Sequence, residues 1–245
     1  MGLHIHFLPE FKSQPSMIAG LPDMGNVAGI GLNFLSRKLN AQLFAEIHSY
    51  WPPFIAYNNG IIDYSQASYK FYFVEKYNII IFTGEFNPSD PSRLYEIVNE
   101  VLKMAERFNI KTLYSIGAAF KQQNITTPNT VYIVTNNPEF LNLTKNYNIS
   151  VLDGHGQIFG FNGLIIGLAK EKGIDGICIL GEIDNPNIIQ PKTVRTILNT
   201  LIKIFNMEYI DMKELDDEED RKNFMQQQMT YFEKALEYNK TPGIA

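Results

Sequence analysis

Five ionisable residues lie in glycine-rich turns or follow predicted strands, where acid–base chemistry can be placed: Asp23, Glu85, His155, Glu182 and Asp184. If the sheet is parallel, the turns after its strands share the carboxyl edge, where ligands bind in open α/β sheets. Such side chains can supply a general acid and base or the ligands of a hard metal ion. No sequence spacing ties the five together, and isolated carboxylates after strands usually cap helices or lie in solvated turns. They are therefore candidate ligand-binding residues, and the sequence predicts neither a catalytic centre nor a metal site.

The stretch Met17–Leu39 places a glycine turn between a short apolar run and a segment with helical spacing of apolar residues. A strand–turn–helix unit of this kind presents free backbone N–H groups and the positive end of a helix dipole. Gly20 and Gly25 are separated by four residues, as in a phosphate-binding P-loop. However, Asn26 and Val27 stand where that motif has Lys and then Ser or Thr. The side chains that would contact phosphate and magnesium are therefore missing.

Two interpretations of this turn stay open. In the first, the turn binds a phosphate-type ligand. In the second, Gly25, Ala28 and Gly29 form a stripe of small residues that lets the helix approach a neighbouring backbone closely. A second glycine-rich segment, Asp153–Gly163, precedes the helix predicted over Leu164–Lys170 and offers a second turn for ligand binding.

The composition is that of a globular protein, because 245 residues with 45% hydrophobic and 19% charged side chains can form one large domain with an appendage. A net charge of −5, a pI near 5.4 and the lack of a Lys/Arg cluster argue against nucleic-acid binding. The lone Cys178 allows no disulfide framework, which fits a reducing cytosol. The apolar stretch before Pro9 is too short for a signal peptide or a membrane span, so we expect a cytoplasmic protein.

Strand and helix signals alternate along the middle of the chain, which predicts an α/β layer fold with a mostly parallel sheet. The buried strands predicted from apolar runs are Ile79–Phe82, Thr112–Ile116, Val131–Val134 and Gly176–Leu180. Asp90 and Pro91 predict the start of an amphipathic helix. The sequence Asn58-Asn59-Gly60 between apolar pairs predicts a hairpin, which would form an antiparallel insert.

The C-terminal segment differs in character from the rest, which predicts a division into a main domain over residues 1–210 and an extension over 211–245. Lys213–Lys222 is a charge run. The apolar residues that follow it at heptad-like spacing are Met225, Met229, Phe232 and Leu236. They are typical either of a terminal helix packed on its own domain or of an arm that packs on a neighbouring subunit. We predict them as an oligomer or partner interface.

Several segments together resemble the proteasome assembly chaperone family. They are Gly20–Gly29, Ala45–Ile47, Trp51–Pro53, Gly84–Pro88 and Gly156–Leu164, and they occur in consistent order within about residues 15 to 210.

The resemblance implies a three-layer α/β/α sandwich, no established catalysis, no cofactor, homo-oligomers and a role in escorting proteasome α subunits. Family members that dock on the proteasome end in a hydrophobic residue, a tyrosine and one more residue. This chain ends Gly243-Ile244-Ala245, so it is more similar to tail-less relatives. The alternative function is a nucleotide- or nucleoside-binding protein, or an enzyme of nucleoside-phosphorylase or ATP-dependent ligase type, that uses the glycine turns.

Overall fold

The computed structural model describes residues 1–49, 56–63, 67–120 and 130–222. It contains one nine-stranded sheet with helices on both faces and a separate two-stranded hairpin. The strands are β1 Gly2–Ile5, β2 Ser16–Ala19, β3 Gln42–Ser49, β4 Ala56–Asn58, β5 Ile61–Asp63, β6 Ala67–Val74, β7 Ile79–Gly84, β8 Thr112–Phe120, β9 Val131–Thr135, β10 Ser150–Val151 and β11 Asp175–Ile183. The helices are α1 Val27–Lys38, α2 Pro91–Arg107, α3 Leu143–Tyr147, α4 Gly160–Glu171 and α5 Pro191–Ile204. A further helix runs through residues 213–222 and is called the C-terminal helix below.

The sheet has its parallel strands at the centre. The strand order is β1-β3-β6-β7-β2-β8-β11-β9-β10. Strands β7, β2, β8 and β11 are parallel to one another, whereas β1, β3 and β6 add antiparallel pairs on one side and β9 pairs antiparallel with β11 on the other. Helices α1 and α5 cover one face, and α2 and α4 cover the other. The predicted α/β/α sandwich with a parallel central sheet is confirmed.

The local signals for β7, α2 and the hairpin are also confirmed. Every residue of β7 is buried, as its apolar run indicates. The Asp90 side chain accepts a hydrogen bond of 2.9 Å from the backbone N–H of Arg93, and Pro91 is the first residue of α2. In the hairpin, Asn59 and Gly60 have φ values of 51° and 80°, which a two-residue turn between twisted strands requires.

Two strands are longer than predicted. The strands predicted over Thr112–Ile116 and Gly176–Leu180 end before Gly117 and Glu182, whereas Gly117 is part of β8 and Glu182 is part of β11, so the expectation that Glu182 follows its strand was wrong. The two strands pair in parallel over nine positions, from Asp175 opposite Thr112 to Ile183 opposite Phe120. The lengths of β8 and β11 are therefore set by their pairing with each other. The local pattern of apolar residues does not reveal this pairing.

The C-terminal helix packs on the main sandwich. Met212 and Leu215 are buried in the same cluster as residues of α1 and α5. Arg37 donates two hydrogen bonds to the Glu214 carboxylate, at 3.0 and 2.6 Å, and thereby joins the C-terminal helix to α1. The predicted interface residues Met225, Met229, Phe232 and Leu236 lie outside the described residues, and the division of the chain near residue 210 stays a prediction. Among the described residues, no helix has the length and apolar character needed to cross a membrane.

Candidate functional site

The candidate site lies at the carboxyl edge of the four parallel strands. Gly20, Asp23 and Gly25 lie in the turn after β2, Glu85 comes directly after β7, and Asp184 comes directly after β11. The structure therefore brings five of the predicted residues to one edge of the sheet. Glu182 approaches the same edge from within β11.

Asp23 joins the turn after β2 to α1 and β8 at this edge. Its Oδ1 accepts a hydrogen bond of 2.9 Å from the backbone N–H of Ala28 in the first turn of α1, and its Oδ2 accepts one of 2.7 Å from the backbone N–H of Ala118 in β8. Burial raises the pKa of the Asp23 carboxyl to about 6, although the same two hydrogen bonds lower it. Such a pKa would suit an acid–base catalyst. Both carboxylate oxygens are nevertheless bound to backbone N–H groups, which favours a structural role.

The glycines of this turn allow close packing. A side-chain Cβ at Gly20 would lie 2.9 Å from the Ala28 Cβ and 3.2 Å from the Ile116 carbonyl oxygen. Gly25 has a φ of 64°, and a Cβ there would lie 2.5 Å from the Gln190 side chain. Its backbone N–H donates to the Pro186 carbonyl at 2.8 Å. The turn is therefore packed closely against α1, β8 and the segment that precedes α5.

Glu182 and Asp184 are both engaged by other side chains. Glu182 is buried, and its carboxylate accepts a hydrogen bond of 3.1 Å from the Tyr132 hydroxyl. Asp184 accepts a hydrogen bond of 2.6 Å from the Gln190 amide. Gln190 in turn accepts a hydrogen bond of 2.9 Å from the Lys222 ammonium, which also lies 3.5 Å from the Asp184 carboxylate.

Lys222 was not foreseen from the sequence as part of the site. Its side chain is only 4% exposed, so the C-terminal helix places a buried cation at this edge beside β11. Lys222 and Gln190 are separated by 32 positions, and no local pattern links them.

Glu85 is exposed at the edge. It accepts a hydrogen bond of 3.3 Å from the Ser68 hydroxyl and lines a cavity of about 460 Å³ between α1, the end of β7 and the C-terminal helix. Asn26, Arg37 and Glu218 line the same cavity. Arg37 and its partner Glu214 both line the cavity, so its wall contains both a positive and a negative group.

His155 does not join the other predicted residues. It lies on the loop before α4, which covers a different cavity of about 510 Å³ lined also by Val134, Ile166 and Cys178. Burial raises the pKa of the Cys178 thiol to about 12, so this cysteine is not an activated nucleophile. Among the described residues, no three His, Cys, Asp or Glu side chains converge in a way that could hold a metal ion.

Large apolar side chains are exposed along this edge. Met24, Phe86 and Phe120 are 44%, 41% and 40% exposed, and Phe159 before α4 is 81% exposed. The hairpin lies between β3 and β6 in the chain, and the end of β3 and the start of β6 are at the same edge as Gly84. Its residues Ile61 and Ile62 are exposed too.

The turns at this edge are acidic as well as apolar. The turns over residues 20–26, 85–90 and 184–190 contain carboxylates but neither Lys nor Arg. Exposed apolar groups with a polar rim are typical of protein-binding surfaces.

Comparisons with known proteins agree with this architecture. A model of the PAC2 family matches residues 17–229. The chain is 28% identical over 203 residues to an uncharacterized protein of Methanocaldococcus jannaschii, MJ1210, covering 82% of this chain and 77% of that protein.

Two solved structures from Pyrococcus furiosus share the fold. PbaB, an archaeal proteasome activator, superposes with a TM-score of 0.82 at 22% identity, covering 94% of this chain and 98% of PbaB. PbaA, an archaeal homologue of proteasome-assembly chaperone, gives 0.74 at 22% identity, covering 97% of each chain. The resemblance seen in the sequence is confirmed, and the chain belongs to the PAC2 family.

Proposed function

We propose that this protein is a non-catalytic, homo-oligomeric chaperone-like protein of the cytosol that binds or escorts proteasome subunits or acts as an adaptor. The observation that carries the proposal is the exposed apolar and acidic carboxyl edge. Three of the four carboxylates that could act in catalysis there are engaged, Asp23 by backbone groups, Glu182 by Tyr132 and Asp184 by Gln190, whereas Glu85 is exposed and accepts a hydrogen bond from the Ser68 hydroxyl.

Family membership supports a chaperone-like role, and the relatives of similar fold include a proteasome activator, PbaB, and a homologue of proteasome-assembly chaperone, PbaA. The composition of the edge indicates what kind of partner surface would be complementary to it. Because the turns lack Lys and Arg and expose Phe86 and Phe159, the complementary surface is apolar with a basic rim.

The test is a pull-down from the native cytosol, with mass spectrometry that asks whether proteasome α subunits are recovered. Replacing Phe86 and Phe159 by Ser should lower this recovery at least tenfold, because apolar anchors dominate interface energies. Tyr209→Ser is the matched control, since Tyr209 is 89% exposed and follows α5 at the opposite edge of the sheet. Equal recovery by all three proteins would count against the proposal.

The alternative function is binding of a nucleotide or nucleoside, and the two cavities beside Glu85 and His155 are the observation that supports it. A thermal-shift panel of nucleotides and nucleosides tests it. A ligand at one hundred times its dissociation constant should add about 2.7 kcal/mol to the free energy of unfolding. If no compound raises the melting temperature, this alternative fails.

A further inference from the structure

Among the described residues, strand β1 forms an open edge of the central sheet. All four of its residues are exposed, and within the described part of the chain it pairs only with β3. The opposite edge of the sheet is formed by β10, which is only two residues long. The β1 edge is therefore the longer of the two edges that the described strands leave free.

The direction of the backbone groups of β1 follows from its register. The backbone N–H of His6 donates to the Phe44 carbonyl at 2.8 Å, in register with the pairs His4–Glu46 and Gly2–His48. Because backbone groups alternate sides along a strand, Leu3 and Ile5 direct their N–H and C=O groups away from β3. No described strand accepts these groups.

The side chains on one face of this edge are apolar, whereas His4 and His6 lie on the other face, where His6 contacts the Glu46 carboxylate at 3.0 Å. Leu3 and Ile5 are 39% and 37% exposed, and Phe7 and Leu8 are 40% and 52% exposed. Residues 1–8 contain no Asp, Glu, Lys or Arg. Charged residues, Pro and bulges are the usual protections of a free edge, and Pro9 comes only after the strand has ended.

We propose that β1 pairs with β1 of a second copy of this chain, antiparallel and about a two-fold axis near His4, so that the sheet continues from one copy into the next. This inference rests on the homo-oligomeric part of the proposed function. The axis places Leu3 opposite Ile5 of the second copy, and the outward N–H and C=O groups of both residues form four reciprocal hydrogen bonds.

A second copy suits this edge better than another partner. The edge is self-complementary under the two-fold axis, since its two outward-facing residues exchange places. The strand contains no Asp, Glu, Lys or Arg in a molecule with a net charge of −5, and His4 is its one ionisable side chain, so two copies meet at β1 with less repulsion than their other surfaces would give. Leu3 and Ile5 of both copies form one apolar cluster beside the buried Ile47.

The first test is Ile5→Pro, measured by light scattering coupled to size exclusion. Proline removes the outward N–H of Ile5 but none of the hydrogen bonds that β1 makes to β3, and proline is tolerated on edge strands. The wild-type mass should be an even multiple of 28.0 kDa, and Ile5→Pro should halve it. Ile5→Thr is the matched control, since it keeps both the N–H and the β-branched side chain, and it should retain the wild-type mass.

A pair of double variants tests the register, even if Ile5→Pro misfolds. Leu3→Glu with Ile5→Glu places like charges opposite each other and should halve the mass. Leu3→Glu with Ile5→Lys places opposite charges there and should keep the wild-type mass. Equal masses for the two double variants would overturn the proposal, as would a wild-type mass of one chain.

Truncation after Lys222 separates this interface from the predicted terminal arm. We expect the truncated protein to keep its dimeric contact. If truncation lowers the mass and Ile5→Pro does not, the arm forms the interface and the β1 proposal is wrong. Recovery of proteasome α subunits is read separately on the same proteins, so failure of the β1 interface and failure of the proposed function give different results.

Discussion

The Asp23 carboxylate accepts a hydrogen bond of 2.7 Å from the backbone N–H of Ala118, 95 positions further along the chain. Its other oxygen accepts the Ala28 N–H, so one side chain joins the turn after β2, the first turn of α1 and strand β8. A residue that the sequence marks as a possible acid or base is thus a structural link at the centre of the carboxyl edge.

Removing this carboxylate should destabilise the fold. Asp23→Ala leaves the N–H groups of Ala28 and Ala118 without their acceptor, and we expect the free energy of unfolding to fall by about 3 kcal/mol. Urea denaturation followed by circular dichroism measures the change. Asp153→Ala is the matched control, because Asp153 is exposed on the loop before α4, and it should change stability by less than about 0.5 kcal/mol. Equal stability of the two variants would show that Asp23 is not a structural link.

The titration of Asp23 should also make the stability of the fold depend on pH. Its folded pKa of about 6 lies above the ordinary value of 3.8, so between these values the folded state holds a proton that the unfolded state has lost. The stability that this bound proton contributes is therefore fully present below about pH 4 and is lost as the pH rises through about 6. The difference between the two pKa values corresponds to about 3 kcal/mol.

This titration can be isolated by subtraction. The free energy of unfolding of the wild type, minus that of Asp23→Asn, should decrease from pH 4 to pH 7, because the variant lacks the titrating group. A difference that stays constant, or that increases with pH, would contradict the assignment of a raised pKa to Asp23.

Local signals in the sequence predicted much of the fold. The apolar run of β7, the Asp90 cap and the Asn59-Gly60 turn each depend on residues within a few positions of one another, and all three were predicted correctly. The true extent of β8 and β11 was not predictable in this way, because it comes from their pairing with each other.

The candidate site was predictable in position but not in its contacts. Parallel strands bring the turns at Asp23, Glu85 and Asp184 to one edge, as their order in the chain implies. The partners that occupy those side chains come from distant segments, such as Ala118 for Asp23 and Lys222 for Asp184. Only the assembled structure reveals that these carboxylates are engaged.

Gly117 should be intolerant of any side chain. A Cβ at this position in β8 would lie 2.1 Å from the amide nitrogen of Asn162 and 2.9 Å from Asp23 Oδ2. Because Asn162 is buried in the first turn of α4, we expect Gly117→Ala to lower stability by about 2 kcal/mol and the melting temperature by several degrees. Gly156→Ala is the control, since a Cβ at Gly156 would meet nothing within 4 Å. Calorimetry that shows equal melting temperatures for both variants would refute the predicted clash.

Lys222 should anchor the C-terminal helix to the turn after β11. Its buried ammonium donates to Gln190 at 2.9 Å and lies 3.5 Å from Asp184. In Lys222→Ala the Gln190 amide oxygen loses its donor, so the helical turn that contains Lys222 should separate from the turn over residues 184–190. Hydrogen exchange should then accelerate about tenfold in residues 184–190 and 216–222, while α2 on the opposite face of the sheet keeps its wild-type protection.

Lys213→Ala removes an exposed lysine from the start of the same helix and should leave both segments unchanged. Protection in residues 184–190 that is the same in both variants would mean that the helix is held by Leu215 and the Arg37–Glu214 pair alone.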